Sequence, residues 1–365
     1  DTFEVPGPDG LVKVGVFGLC TPSTPLLSQP GDDVAFEDVR PHAKRCVAAL
    51  QAMGCRVILA LTHLSMAQDM LVAEVPGVDC IMGGHEHTPY LLQHHDTYII
   101  KCGQNVDHLG VVDFVLQKEH GQLQLVPSFQ LVSSNGFPGD PAVDEIIAVW
   151  EERMKLAAGD DPVVCRVGPT PLSTLTRDLR TRETAFACYV ADAIAHSYQD
   201  QGCQLAIQNG GFIRHDTVYP AGSELTRSQV MGEMPFPRHP VLLRMRGQDI
   251  VLALEQMLSG APSPVGSFPH LSAGFRVVYD LNRLPLHRVV SAELNGKPLL
   301  EVQDYLLAVS DFYCDKDGDG VEAFSAAPVA ADHGRLIREC AVDYLQTLEV
   351  LKGDPPGRLV AHACD

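Results

Sequence analysis

The residues best suited to chemistry in this sequence are histidines at the ends of apolar runs. His63 closes "RVILALTH" (56–63), and His85 and His87 follow "VDCIMGG" (78–84) in the segment "IMGGHEHTPY". Side chains at the carboxyl end of a sheet strand point into the crevice where α/β proteins bind ligands. Gly83 and Gly84 let the backbone turn tightly, and two imidazoles two residues apart on an extended segment project to one side. Such a pair suits borderline divalent metals. A single His after a strand is commonly a hydrogen-bonded loop residue, so His63 alone says little. The Gly-Gly-His-Glu-His arrangement is more specific, because its glycines and its spacing share one explanation. His94 and His95, in "LLQHHDTY", have no comparable context and read as surface residues.

Two further stretches carry recognition chemistry. In "CQLAIQNGGFIRHD" a strand runs into a two-glycine turn at Gly210 and Gly211, which would let backbone approach a ligand closely. Asn209 offers an amide for a base edge or a ribose, and Arg214 a planar fork for an anion. The second stretch, "DKDGDGVEAFSA", opens like a calcium loop, with Asp315, Asp317 and Asp319 at alternate positions and Gly320 at the turn. The twelfth position, which should be a bidentate Glu, is Ala326, and "DYLLAVSDFY" before the loop reads as a strand, not an entering helix. Calcium is therefore set aside.

These groups need a scaffold. At 365 residues the chain is too long for one ordinary core, so two domains are expected. "LVKVGVFGL" (11–19), "RVILALTH" (56–63) and "VDCIMGG" (78–84) read as strands. The helical "DVRPHAKRCVAALQAMG" (38–54) and "LSMAQDMLVAEV" separate them. "TYIIKCG", "LGVVDFVLQ" and "QLQLVPSFQLV" follow as further strands. This predicts an α/β section, over 1–135, with a parallel or mixed sheet and helices on its faces. The Gly- and Pro-rich loop "SSNGFPGDP" and the amphipathic "AVDEIIAVWEERMKLAAG" (142–159) form a linker over 136–160. Residues 161–365 read as an α+β section.

Net charge is −19, which argues against a nucleic-acid polymer or an anionic membrane surface as partner, while leaving room for a small phosphate ligand beside a local Arg cluster. No apolar run is long enough to span a bilayer. The 11 scattered cysteines, with no C-x-x-C pair, read as reduced thiols and lean toward a reducing, cytoplasmic compartment.

The order strand, "LTHLS", helix, strand, "GGHEHT" resembles the C-terminal half of the calcineurin-like metallophosphoesterase domain, an αββα sandwich. The whole chain resembles the two-domain 5′-nucleotidase family, whose N-G-G-x-I-R signature is similar to "NGGFIR". The resemblance implies hydrolysis of 5′-nucleotides with two divalent ions, zinc, manganese or similar, that activate a water for in-line attack. It assigns His63 and His85 to one metal site and His87 to the other. It makes Arg182, in "RTRET", an Arg for phosphate or substrate, and Phe236, in "MPFPRHP", one aromatic face for a base. Tyr313, six residues before Asp319, would be the opposite face, with Phe312 the choice if the loop carries one extra residue. Asp319 would hydrogen-bond the ligand. Family members move their domains relative to each other, and the helix at 142–159 is the expected hinge.

There are departures from the family pattern. Ala185 and Ala187 stand where Asn and Gly are usual, "PFPRHP" lacks Gly-Asn, and Val321 replaces an aromatic. The family's D-x-H, bridging Asp and G-N-H elements are expected upstream of Asp1, so the catalytic residues would lie there. Residues 1–365 alone are expected to hold metal poorly and hydrolyse little. The alternatives are a nucleotide-binding protein with a decayed dimetal site, or a hydrolase of cyclic nucleotides or nucleotide sugars.

Overall fold

The structure is a computed structural model. It describes all residues except 29, 32, 121, 315–317, 333 and 363–365, and describes only the backbone of 26–27, 118–119, 122–124 and 155–158. Asp315 and Asp317 of the calcium-like stretch, and Cys364, thus lie outside the described residues. The chain divides into two compact units, Asp1–Ala148 and Val149–Asp365.

The first unit is built on a six-stranded mixed sheet. Its strands are β1 (Thr2–Gly7), β2 (Gly10–Cys20), β3 (Val57–His63), β4 (Cys80–Gly83), β5 (Pro89–His94) and β6 (Thr97–Cys102), in the order β1-β2-β3-β4-β6-β5. β2, β3, β4 and β6 run parallel, while β1 and β5 pair antiparallel at the two edges. The helices Val39–Ala52 and Met66–Ala73 are the crossovers between the parallel strands, and they bury one sheet face. Ala43, Val47, Leu50 and Val72 pack there against Ile58, Ala60, Ile81 and Ile99. Ser65 and Gln68 form a reciprocal capping box that starts the second helix immediately after His63. Two long strands, β7 (His108–Glu119) and β8 (Gln122–Ser133), pair with each other as a hairpin, and Phe129 meets Tyr98 of β6. The helix Pro141–Ala158 follows; Val143, Ile146, Ile147, Val149, Trp150 and Met154 along it are exposed.

The second unit centres on a five-stranded sheet, in the order Pro269–Leu271, Leu205–Asn209, Asp304–Ser310, Pro240–Arg246, Val329–Asp332. Its interior strands are apolar on both faces. Ala206, Leu242 and Ala308 face a core shared with the helices Ala185–Ser197 and Ile337–Gln346. Their neighbours Leu205, Ile207, Val241, Leu243, Leu307 and Val309 face a second core with the helix Gly247–Met257. Burial on both sides is why these strands read as continuous apolar runs.

Strand direction then brings three loops to one edge. Leu205–Asn209 is parallel to Asp304–Ser310, so both end at that edge. Pro240–Arg246 is antiparallel with Pro240 opposite Ser310, so it begins there. The segments after Asn209, after Ser310 and before Pro240 are therefore neighbours, and Asp311 N donates to His239 O at 2.8 Å.

Candidate functional site

In the first unit, the ends of β3 and β4 are locked together. Gly84 N donates to Thr62 O at 2.8 Å, and the His63 and His85 rings lie edge to face with centroids 5.3 Å apart. The segment after β4 is not extended: His85 has φ 78°, a left-handed conformation costly for a side-chain-bearing residue. That kink turns His85 toward His63 and corrects the expectation that His85 and His87 pair by simple alternation.

A buried lysine holds this geometry, and sequence reasoning missed it. Lys101 of β6 has its side chain fully buried. Its ammonium donates to Leu64 O at 2.6 Å and Gly84 O at 2.8 Å, pairs with Asp69 at 2.8 Å, and contacts Glu86. Glu86 in turn accepts from Met66 N at 2.5 Å, and Asp69 accepts from Thr62 Oγ1 at 2.7 Å. One cation thus ties together the loop after His63 and the loop carrying His85 and His87. Burial raises the Asp69 carboxyl, and the Lys101 and Thr62 hydrogen bonds oppose that. The signal in the sequence was the one charge inside "YIIKC".

Among the described residues, His63, His85 and His87 do not form a group of three mutually close ligand atoms. The group that does is Glu74, His94 and His95.

In the second unit, four segments converge. Gly210 N and Gly211 N donate to Phe268 O and Gly266 O, and Asn209 Nδ2 donates to Gly266 O at 3.2 Å. Val265 N donates to Arg180 O. A Cβ on Gly210 would lie 1.9 Å from Leu179 O, and one on Gly211 2.8 Å from Gly266. The two glycines therefore serve close packing of loops in the protein. The expected approach to a ligand is not what requires them. Asn209, 5% exposed, also accepts from Gln208 Nε2 at 3.0 Å.

Around this knot sit Arg180, Arg214 and Asp319. Burial pulls the Arg180 guanidinium down to about 10; Arg214 pushes the same way, and Asp319 and Asp216 push back. Burial also lowers Arg214, against the pull of Asp319. Asp319 is raised by burial and lowered by both arginines. The residue is nevertheless open to solvent, and its carboxylate lies close against Gly266. The Nε atoms of Arg180 and Arg214 are buried with no hydrogen-bond partner. Two half-buried cations beside one carboxylate can take an anionic, hydroxyl-bearing ligand. Arg214 lies over the Phe236 ring at 5.3 Å, and Arg238 over the Phe312 ring at 5.3 Å.

Two expected residues fall elsewhere. Arg182 is exposed and pairs with Asp178 at 2.8 Å, one turn back on the same short segment; Arg180 takes the inward position. Tyr313 is fully buried against Phe324 and Phe312, so its ring is core and cannot stack on a ligand. Phe312, half-buried at the sheet edge, is the accessible ring. In an Asp311–Cys314 single turn, adjacent residues point to different sides, and that divides core from surface. Asp319 and Gly320, at φ 48° and 72°, form the tight turn that presents the carboxylate.

The family model for the 5′-nucleotidase C-terminal domain matches residues 166–326. The chain is 29% identical over 359 residues to the trifunctional nucleotide phosphoesterase protein YfkN of Bacillus subtilis, an alignment covering 92% of this chain and 23% of that protein. It is 24% identical over 390 residues to a human 5′-nucleotidase, covering 96% of this chain and 67% of that one. The structure of a 5′-nucleotidase precursor from Thermus thermophilus matches with a TM-score of 0.77 and 26% identity, over 100% of this chain and 75% of the other.

Proposed function

We propose that the chain is a member of the 5′-nucleotidase family, whose C-terminal domain model matches residues 166–326, and that it serves metal-dependent hydrolysis of nucleotide phosphate esters, releasing nucleoside and phosphate. Its first unit would be a calcineurin-like phosphoesterase section, placed before the part that matches the 5′-nucleotidase C-terminal domain. The second unit would bind the nucleotide. The observation that carries this reading is the convergence of Arg180, Arg214 and Asp319 beside Asn209. The arginines would orient the anion, Asp319 would accept a hydrogen bond from a sugar hydroxyl, and Phe236 and Phe312 would offer faces to the base. Base stacking on a ring contributes about 1–3 kcal/mol per base in single-strand binders.

Phosphoesterases of this kind generally use two metal ions. The adjacent imidazoles of His63 and His85 fit a shared ion of borderline softness such as zinc or manganese, and His87 would serve the other. Three imidazoles are fewer donors than two such ions take. When bound, the ions supply Lewis acidity and a water made nucleophilic near neutral pH. This chain's part is to hold the histidines in place through Lys101 and to hold the substrate by its sugar, base and charge.

The test is phosphate release from AMP and other 5′-nucleotides, cyclic nucleotides and nucleotide sugars, with manganese or zinc added. Release from 5′-nucleotides, lost in His85→Ala, supports the reading. Calorimetry showing that the chain binds none of these nucleotides would overturn it.

A further inference from the structure

The β5–β6 hairpin carries a second histidine pair that the proposed chemistry does not use. His94 ends β5 and stands opposite Thr97, so the connection is only His95 and Asp96. His95 adopts φ 53°. Adjacent residues of a strand point to opposite faces, but this left-handed step folds the His95 ring back onto His94, with centroids 4.5 Å apart and planes at 69°.

The hairpin tip is anchored to the end of the helix Met66–Ala73. Thr97, 2% exposed, donates from Oγ1 toward Ala73 O at 3.2 Å and Val78 O at 2.7 Å. Gln93 Nε2 donates to His95 O at 3.2 Å and braces the turn. The next residue of the helix end is Glu74. Its carboxylate and one nitrogen from each of His94 and His95 lie within 4.8 Å of one another. His94 Nε2 is buried without a hydrogen-bond partner. Glu74 Oε2 pairs with Arg40 at 3.0 Å, which fixes the carboxylate and leaves it a second oxygen.

We propose that Glu74, His94 and His95 form a zinc site separate from His63, His85 and His87. Two imidazoles and a carboxylate are a donor set zinc takes with its fourth position left to water. The ligands come from two elements already held by Thr97, so little ordering remains to be done on binding. The ion would clamp the edge hairpin to the helix end, a structural role at the sheet's margin. Neighbouring Arg40 opposes the ion's charge, so the site would bind zinc more weakly than one with no cation beside it.

The test uses the whole chain and zinc alone. His95→Asn keeps a residue that tolerates positive φ, and Glu74→Gln keeps the side chain's shape. Non-denaturing mass spectrometry should show one more zinc on the parent chain than on either variant, or affinity at that site at least ~10-fold weaker in the variants, the size seen when even an outer partner of a metal ligand is lost. His85→Ala should retain this zinc, and zinc should raise its melting temperature but not that of the double variant His85→Ala with His95→Asn. Cobalt substitution should give visible absorption bands in His85→Ala that vanish in the double variant with His95→Asn. Equal zinc stoichiometry and affinity in the parent chain, His95→Asn and Glu74→Gln would overturn the proposal. So would loss of all zinc in a folded His85→Ala.

Discussion

At the scale of single residues, two places along the segment after the short helix Thr176–Leu179 separate the inward Arg180 from the exposed Arg182. Arg180 faces Arg214 and Asp319, whereas Arg182 faces solvent and Asp178. Arg180→Met should raise KM for a 5′-nucleotide at least ~10-fold, since a hydrogen bond to a charged group is worth about 1.5–3 kcal/mol. Arg182→Met should change it less than ~2-fold, as expected for a surface pair. Steady-state kinetics or calorimetry decides; equal losses would return Arg182 to the site. His270 lies beside Gly210. Fully buried, it donates from Nε2 to Leu179 O at 3.0 Å, and burial holds it at about 4 against an ordinary 6.5. A depressed histidine binds its proton in the unfolded chain first, so stability falls as pH drops from 6.5 toward 4. The loss is about 3 kcal/mol from this one group. In His270→Gln the fall over the same window should be shallower by that amount, measured by urea unfolding. Parallel profiles for the two proteins would refute it.

At the scale of elements, loops are held by whatever their strands leave buried between them. Lys101 lies in an interior strand, yet its ammonium reaches both loops that carry the metal-type histidines. Lys101→Met would strand Asp69 as an uncompensated buried carboxylate. We expect destabilisation of about 3–5 kcal/mol, with Asp69→Asn in the same chain recovering part of it. Chemical denaturation of the first unit reads this out; a single variant as stable as the parent would mean the pin is dispensable. These contacts were hidden in the sequence, where Asp69, Glu86 and Lys101 are separated by intervals that match no motif. The sheet itself was legible. β2, β3, β4 and β6 follow the apolar runs because strand burial imposes composition, and β7 and β8 follow theirs although Leu109, Val115, Val126 and Leu131 are exposed. The edge strands β1 and β5 are half-exposed and mixed in character, and were not legible.

At the scale of the molecule, each core cluster lies wholly within one unit. The Phe17 to Ile99 cluster belongs to the first, and the two clusters over the five-stranded sheet belong to the second. The two cores of the second unit share one sheet, whereas the first unit's core is built on another. Calorimetry should therefore resolve two unfolding transitions, and only the second should shift upward with a bound nucleotide. A single transition, moved as a whole by ligand, would show that the units are energetically one.

The sequence by itself determined the alternation of strands and helices, the Gly-Gly-His-Glu-His loop, the Asn-Gly-Gly turn and the Asp-Gly turn, because periodicity and left-handed backbone are local properties. Tertiary structure alone decided which arginine and which aromatic face the site. Arg180 against Arg182, and Phe312 against Tyr313, are choices between near neighbours of the same type. They are settled by which side of a single turn meets a strand many residues away. The glycines' purpose was decided in the same way, by Leu179 O and Gly266 pressing on them from loops distant in sequence.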